Sequence, residues 1–174
     1  MDYTQFLAMK QEIGLLVVFI LVFLLDTFMP KKSQGQVGGL CCLLFGVFTL
    51  GGFCSSILGE QLAFGGMYET STVIVNIKNI LNIGVLIVMI QGLRWSAQDL
   101  VKIRRGEFYE LLLATLFGMY LMISARHFLL FVIGLETASL PLAAMVAFDK
   151  HRYESHEAAI KYVLTAVFSS AVFM

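Results

Sequence analysis

Six apolar runs, each about 20 residues long, divide this chain and dominate what it can become. They cover residues 13–29, 37–59, 77–95, 108–124, 128–148 and 158–174. A helix rises about 1.5 Å per residue, so roughly 17–25 residues cross a hydrocarbon core about 30 Å thick. In lipid every backbone N–H and C=O must be satisfied internally, which makes helices of such runs. Of the 174 residues 59% are apolar and 14% charged, a share that a soluble domain of this size has no interior to hide. This leaves little room for a soluble enzyme, and none for disorder, which needs low hydrophobicity. Twelve Lys and Arg balance twelve Asp and Glu, so there is no basic excess for nucleic acid. Two prolines and a lack of alternating strand patterns argue against a membrane barrel. The expected fold is all-α, a polytopic membrane bundle of six transmembrane helices.

The connections carry the orientation. Lys31 and Lys32 follow the first run, Arg94, Lys102, Arg104 and Arg105 surround the loop between the third and fourth, and Lys150 and Arg152 lie between the fifth and sixth. The other side offers Lys10, Lys78 and Arg126, eight against three, so the N-terminus is expected outside. The first run is too long for a signal-peptide core, and its positive charges follow it rather than precede it. Gly106 is expected to break the chain before the fourth run. Arg126 and His127 alone separate the fourth from the fifth, which predicts a tight antiparallel hairpin. Ser155 is expected to cap the sixth helix, with Glu157 in its first turn suiting the helix dipole.

Other residue types offer little chemistry. Cys41, Cys42 and Cys54 form no C-x-x-C pair and read as small packing residues in the second helix. His127, His151 and His156 lack metal-ligand spacing. Arg104 and Arg105 read as topology-setting charges at the headgroups rather than a docking surface for an acidic partner.

Ionisable groups inside a span cost about 2.5–3.5 kcal/mol each on the lenient insertion scale, so each needs a reason. Asp26 lies one turn from the end of the first helix and is expected to snorkel toward Lys31. Lys78 is expected to reach the outer interface on its long stem. Glu136 has neither excuse: it sits near the middle of 128–148 on a side chain too short for either interface. It must face a protein interior or a wet cavity, protonated or paired. Pro141 has no N–H, which frees the carbonyl of Thr137 beside Glu136 and predicts a kink. With the hydroxyls of Thr137 and Ser139 that carbonyl is placed to hold a short water chain at the carboxylate. Lys161, four residues after Glu157, is either a snorkelling surface pair or a buried lysine that passes a proton. A mid-membrane carboxylate and a lysine on the next helix suit a proton or cation pathway.

The stretch from Gly106 onward, with "GLETASLPL" around Glu136 and "EAAIKY" around Lys161, resembles the antiporter-like membrane subunits of respiratory complex I. Leu135 stands where sister subunits commonly have Trp, which favours the subunit N branch. The resemblance implies a helix-five glutamate, Glu136, at the interface with a neighbouring subunit, and a helix-six lysine, Lys161, linked to a water-filled relay. It implies a non-redox subunit of a proton-pumping NADH-quinone oxidoreductase in the inner membrane. Such a chain carries no cofactor; NADH and quinone are used by other subunits, and its partners are other membrane subunits and the lipid bilayer. Residues 1–105 would be a three-helix segment with a cytoplasmic loop, and 106–174 the start of an antiporter-like module with inverted repeats. The family's central lysines would lie beyond Met174, so the chain reads as an N-terminal fragment. Two other readings stand beside this one: a subunit of a cation/proton antiporter or membrane-bound hydrogenase, and a structural scaffold in the membrane.

Overall fold

The computed structural model describes residues 6, 8–29, 34–54, 61–95, 105–149 and 152–174. Among them are six helices: α1 (Lys10–Phe28), α2 (Gln34–Cys54), α3 (Thr72–Trp95), α4 (Arg105–Ile123), α5 (Phe128–Val146) and α6 (Tyr153–Phe173). The all-α membrane bundle expected from the sequence is borne out. By length and composition the first five are able to cross a membrane. The sixth forms at its expected place, but Glu157 and Lys161 in its first half keep it below the apolar content of the others. Three boundaries move. The third helix starts at Thr72 rather than residue 77, which draws Lys78 inside it. Gly106 lies in the first turn of α4 instead of breaking the chain before it. Ser155 lies within the first turn of α6 and is not its cap; its hydroxyl donates to the Val146 carbonyl at the end of α5, at 2.5 Å. Lys31, Lys32, Lys102, Arg104, Lys150 and His151 lie outside the described residues, so the snorkelling of Asp26 toward Lys31 does too.

Local chemistry explains several ends. α1 stops at Phe28 because Met29 precedes Pro30, and a residue before proline is pushed out of the helical region; Met29 is extended, at φ −78° and ψ 128°. α5 starts at His127, whose ring nitrogen accepts from the Leu129 N–H at 3.2 Å and so satisfies one of the free donors of the first turn.

α4 is the central helix. Its Tyr109, Leu112, Leu113, Leu116 and Tyr120 recur at three- and four-residue spacing and are buried against Leu15, Val18 and Val22 of α1, Val37, Cys41 and Phe45 of α2, and Met89 of α3. The opposite faces carry exposed Phe23, Leu43, Leu50, Ile80 and Ile90, which suits a bundle wrapped in lipid. The α4–α5 hairpin is the tightest pairing, as the two-residue link predicts. A Cβ on Gly118 would lie 2.3 Å from the backbone nitrogen of Ala138, and one on Gly134 would lie 2.8 Å from that of Met122. Only glycine lets the two backbones touch in this way.

One element has no counterpart in the sequence reading. Between α2 and α3 a hairpin of β1 (Gln61–Ala63) and β2 (Tyr68–Thr70) pairs antiparallel, Leu62 opposite Glu69. Its turn runs through Phe64, Gly65 and Gly66, all at positive φ, where the two glycines carry no steric penalty. The hairpin continues onto the α4–α5 link: the Glu69 N–H donates to the Ser124 carbonyl and the Arg126 N–H to the Met67 carbonyl, each at 2.9 Å. It therefore lies over the end of the bundle where α1, α3 and α5 begin and α2 and α4 end.

Candidate functional site

Glu136 is the ninth residue of the nineteen in α5, at the centre of the span. Gly134 and Ala138 turn toward α4, and at 100° per residue Glu136 lies on the other side of the helix. Leu129, Ile133 and Leu140 share that side and are exposed, so the half-buried carboxylate sits in an apolar stripe. Among the described residues its carboxylate has no hydrogen-bond or ion-pair partner. The hydroxyls expected beside it are turned to the backbone: Thr137 Oγ1 donates to the Ile133 carbonyl at 2.7 Å, and Ser139 Oγ to the Glu136 carbonyl at 3.3 Å. Back-bonding of this kind occupies the hydroxyl proton and leaves only lone pairs for a water. Thr137 also lines an apolar cavity of about 240 Å³ with Leu15, Leu16 and Phe19 of α1 and Leu113, Ala114 and Phe117 of α4. Pro141 lies inside α5, which runs on past it to Val146.

Lys161 is not drawn to Glu136. Its ammonium donates to Glu157 Oε1 at 2.6 Å, one turn earlier on α6, with side-chain exposures of 72% and 51%. Among the described residues α6 packs chiefly on α5, so this pair is open on its other sides.

The most deeply buried ion pair among the described residues lies elsewhere, and Lys78 does not snorkel. Its ammonium is buried and donates to Glu12 Oε1 at 2.5 Å and to the Tyr68 hydroxyl at 3.4 Å. It stands over two rings as well, 5.5 Å from the Tyr68 centroid and 5.2 Å from that of Tyr120. Ser124 Oγ reaches the same Glu12 oxygen at 3.5 Å. Around this pair lies a buried polar shell. Tyr120 donates to Asn82 Oδ1 at 2.6 Å, Gln11 Nε2 donates to Asn79 Oδ1 at 3.2 Å, and Asn79 Nδ2 donates to the Gly52 carbonyl at 3.2 Å. Burial pushes the Tyr68 phenol far above its ordinary value, and the neighbouring Glu12 pushes it the same way. The sequence signal existed: Lys78 and Asn82 are one turn apart on one face, and Glu12 directly precedes an apolar run. Glu12 itself stands at the margin of that run, where a charge ordinarily meets headgroups, so the pattern alone does not mark it. Among the described residues no three His, Cys, Asp or Glu side chains group as metal ligands.

Comparison with known proteins bears out the resemblance and extends it from the stretch after Gly106 to the whole chain. The family described as "NADH:quinone oxidoreductase/Mrp antiporter, TM" matches residues 125–174. NADH-quinone oxidoreductase subunit N of Phocaeicola vulgatus is 42% identical over 174 residues, which is all of this chain and 36% of that protein. The same subunit of Azobacteroides pseudotrichonymphae is 39% identical over the same coverage. In three dimensions the fold matches a chain of respiratory complex I from Thermus thermophilus, solved with bound aureothin. The TM-score is 0.68 at 24% identity, over 94% of this chain and 34% of that one. The chain thus spans about a third of the length of the relatives it matches.

Proposed function

From a membrane chain similar along its whole length to subunit N of NADH-quinone oxidoreductase, we infer a non-redox component of a proton-pumping quinone reductase, with Glu136 and Lys161 in its proton relay. The observation that carries this is Glu136 itself. It stands at mid-helix, within the matched segment 125–174, on a stripe of exposed apolar residues. An ionised carboxylate facing hydrocarbon is costly, so this face calls for a protein partner or a water-lined path. Another membrane subunit or a further part of the same fold meets that need, and supplies the surface across which a proton passes to or from Glu136. Lys161 joins the relay when a neighbour covers the open side of α6. The protonation of each group then sets that of the next. The chain contributes no redox group under this reading; NADH and quinone are handled by other subunits.

Inner-membrane placement with the N-terminus outside belongs to the same proposal and rests on the eight-to-three distribution of basic residues. So does the division into a three-helix segment, 1–105, and the start of a translocating module, 106–174.

The test compares Glu136→Ala with Glu136→Asp in the assembled enzyme, in sealed vesicles, measuring protons moved per electron. Loss in the Ala variant with partial retention in the Asp variant is expected. Full pumping in the Ala variant would sink the relay role and leave a scaffold. A second reading, exchange of Na⁺ or K⁺ for protons, is favoured by the family description, which includes antiporters. It predicts a cation-driven pH change in vesicles without any electron donor.

A further inference from the structure

Glu12, Lys78, Tyr68, Tyr120 and Asn82 converge from α1, α3, β2 and α4 at the hairpin end of the bundle, outside the segment that holds Glu136. Three side-chain atoms there are buried without a hydrogen-bond partner among the described residues: Gln11 Oε1, Glu12 Oε2 and Asn82 Nδ2. Their residues are 8%, 2% and 0% exposed, so each atom has lost bulk water. Leaving a buried polar atom unpaired is costly, and one oxygen of an ionised carboxylate most of all. We propose that this cluster is a proton-binding site, in which Glu12 Oε2 takes up a proton delivered through internal water while Lys78 rests on the two tyrosine rings.

The geometry supports both charge states. In the ion-paired state Oε1 accepts from Lys78 and Ser124, and the pair is neutral. Uptake forms one O–H bond at Oε2 with a proton from the aqueous phase, and the cluster gains one positive charge. The Lys78 ammonium keeps two aromatic faces and the Tyr68 oxygen, which hold a cation without the carboxylate. The protonated Oε2 becomes a donor, and Gln11 Oε1 next to it in sequence is an acceptor without a partner. Release restores the neutral pair. The groups that face Glu12 are Lys78 from α3, Tyr120 from α4, Ser124 just past the end of α4, and Tyr68 from β2. Neither tyrosine competes for the proton, since both are already protonated phenols at neutral pH. The hairpin, tied down at Ser124 and Arg126, lies over the end of the bundle that holds the pair.

The site stands independently of the Glu136 relay, and its test reads Glu12 alone. Infrared difference spectra are recorded on the full chain in lipid nanodiscs while pH is stepped from about 4 to about 10. The expected result is a protonated-carboxyl C=O band that appears as pH falls, shifts in D2O, and is lost in Glu12→Gln/Lys78→Met. Glu12→Asp, which keeps a carboxyl and guards against a variant that fails to fold, moves the band instead of removing it. Glu154→Gln, exposed at the start of α6, leaves it in place. Wild-type spectra without such a band at any pH, or a band that Glu12→Asp does not move, overturn the proposal and leave a permanently ionised structural pair.

Discussion

Lys78 Nζ lies 2.5 Å from Glu12 Oε1, and the two side chains keep only 1% and 2% of their surface exposed. The pair joins the first turns of α1 to α3 across 66 residues of chain, under a hairpin that belongs to neither helix. Taking two charges out of water is costly, and their attraction returns that cost only while both are present.

Removing the lysine alone should therefore hurt more than removing both charges. Lys78→Met leaves an uncompensated buried carboxylate and is expected to lower stability by about 3–5 kcal/mol, whereas Glu12→Gln leaves the ammonium on two tyrosine rings and the Tyr68 oxygen and should cost less. Glu12→Gln/Lys78→Met removes both charges and should lose less than Lys78→Met alone. Unfolding in mixed micelles at rising denaturing-detergent content measures all three. Costs that simply add would show that the two charges do not interact.

A methyl group tests the contact between α4 and α5. Gly118→Ala places a Cβ where the Ala138 backbone stands, and backbone cannot rotate aside as a side chain does. Overpacking of this kind costs about 1–3 kcal/mol, with the helices forced apart. Gly39→Ala on α2, where the added carbon meets nothing within 4 Å, is the matched control and should be neutral or slightly stabilising. Equal stability of the two variants would contradict the close backbone contact.

The Tyr68 phenol gives an alkaline signature. Its affinity for the proton is raised in the folded chain by burial, and further by Glu12. The unfolded chain releases that proton near pH 10 and the folded chain does not, so folding retains the proton as pH rises. The contribution of Tyr68 to stability is thus complete below about pH 10 and declines above it. Absorbance titration of tyrosinate should show Tyr68 ionising only with unfolding, and Tyr68→Phe should flatten the alkaline fall in stability. A Tyr68 that titrates with the exposed tyrosines would refute this.

The Glu157–Lys161 pair separates structural from functional importance. Both side chains are more than half exposed, and an i,i+4 pair of this kind is worth about 0.3–0.5 kcal/mol. Lys161→Ala should leave the unfolding of this chain almost unchanged. In the assembled enzyme the same change should reduce proton translocation several-fold if Lys161 lies in the relay. A variant that pumps at the wild-type rate would reduce the lysine to a surface charge.

Much of the fold was legible because its strongest determinant is local. Apolar length alone marks a spanning helix, and the two-residue link at Arg126 and His127 leaves α4 and α5 no choice but to pair. Glu136 was legible for the same reason, since depth along one helix is a one-dimensional property. The Glu12–Lys78 pair was not, because its depth is set by tertiary structure. Glu12 is the third residue of α1 and would meet headgroups if the helix end were bare. The hairpin that covers it is built from two three-residue strands, too short for any periodic signal. Ser155 differs because Ser is a good cap in general, whereas here the helix is entered three residues earlier, at Arg152, and the Ser155 hydroxyl meets the Val146 carbonyl.

The glycine contact between α4 and α5 has a mechanical corollary. Fused at Gly118 and Gly134, the two helices behave as one beam over the half of α5 nearest the hairpin. Pro141 lies past that weld, where a missing hydrogen bond makes the helix easiest to bend. The free end of the beam, from Pro141 to Val146, is fastened by the Ser155 hydroxyl to the first turn of α6. Flexing at the proline would swing Glu157 and Lys161 with it while Glu136, on the near side of the joint, stays put. The distance between the acid and the lysine is then set by the bend at Pro141.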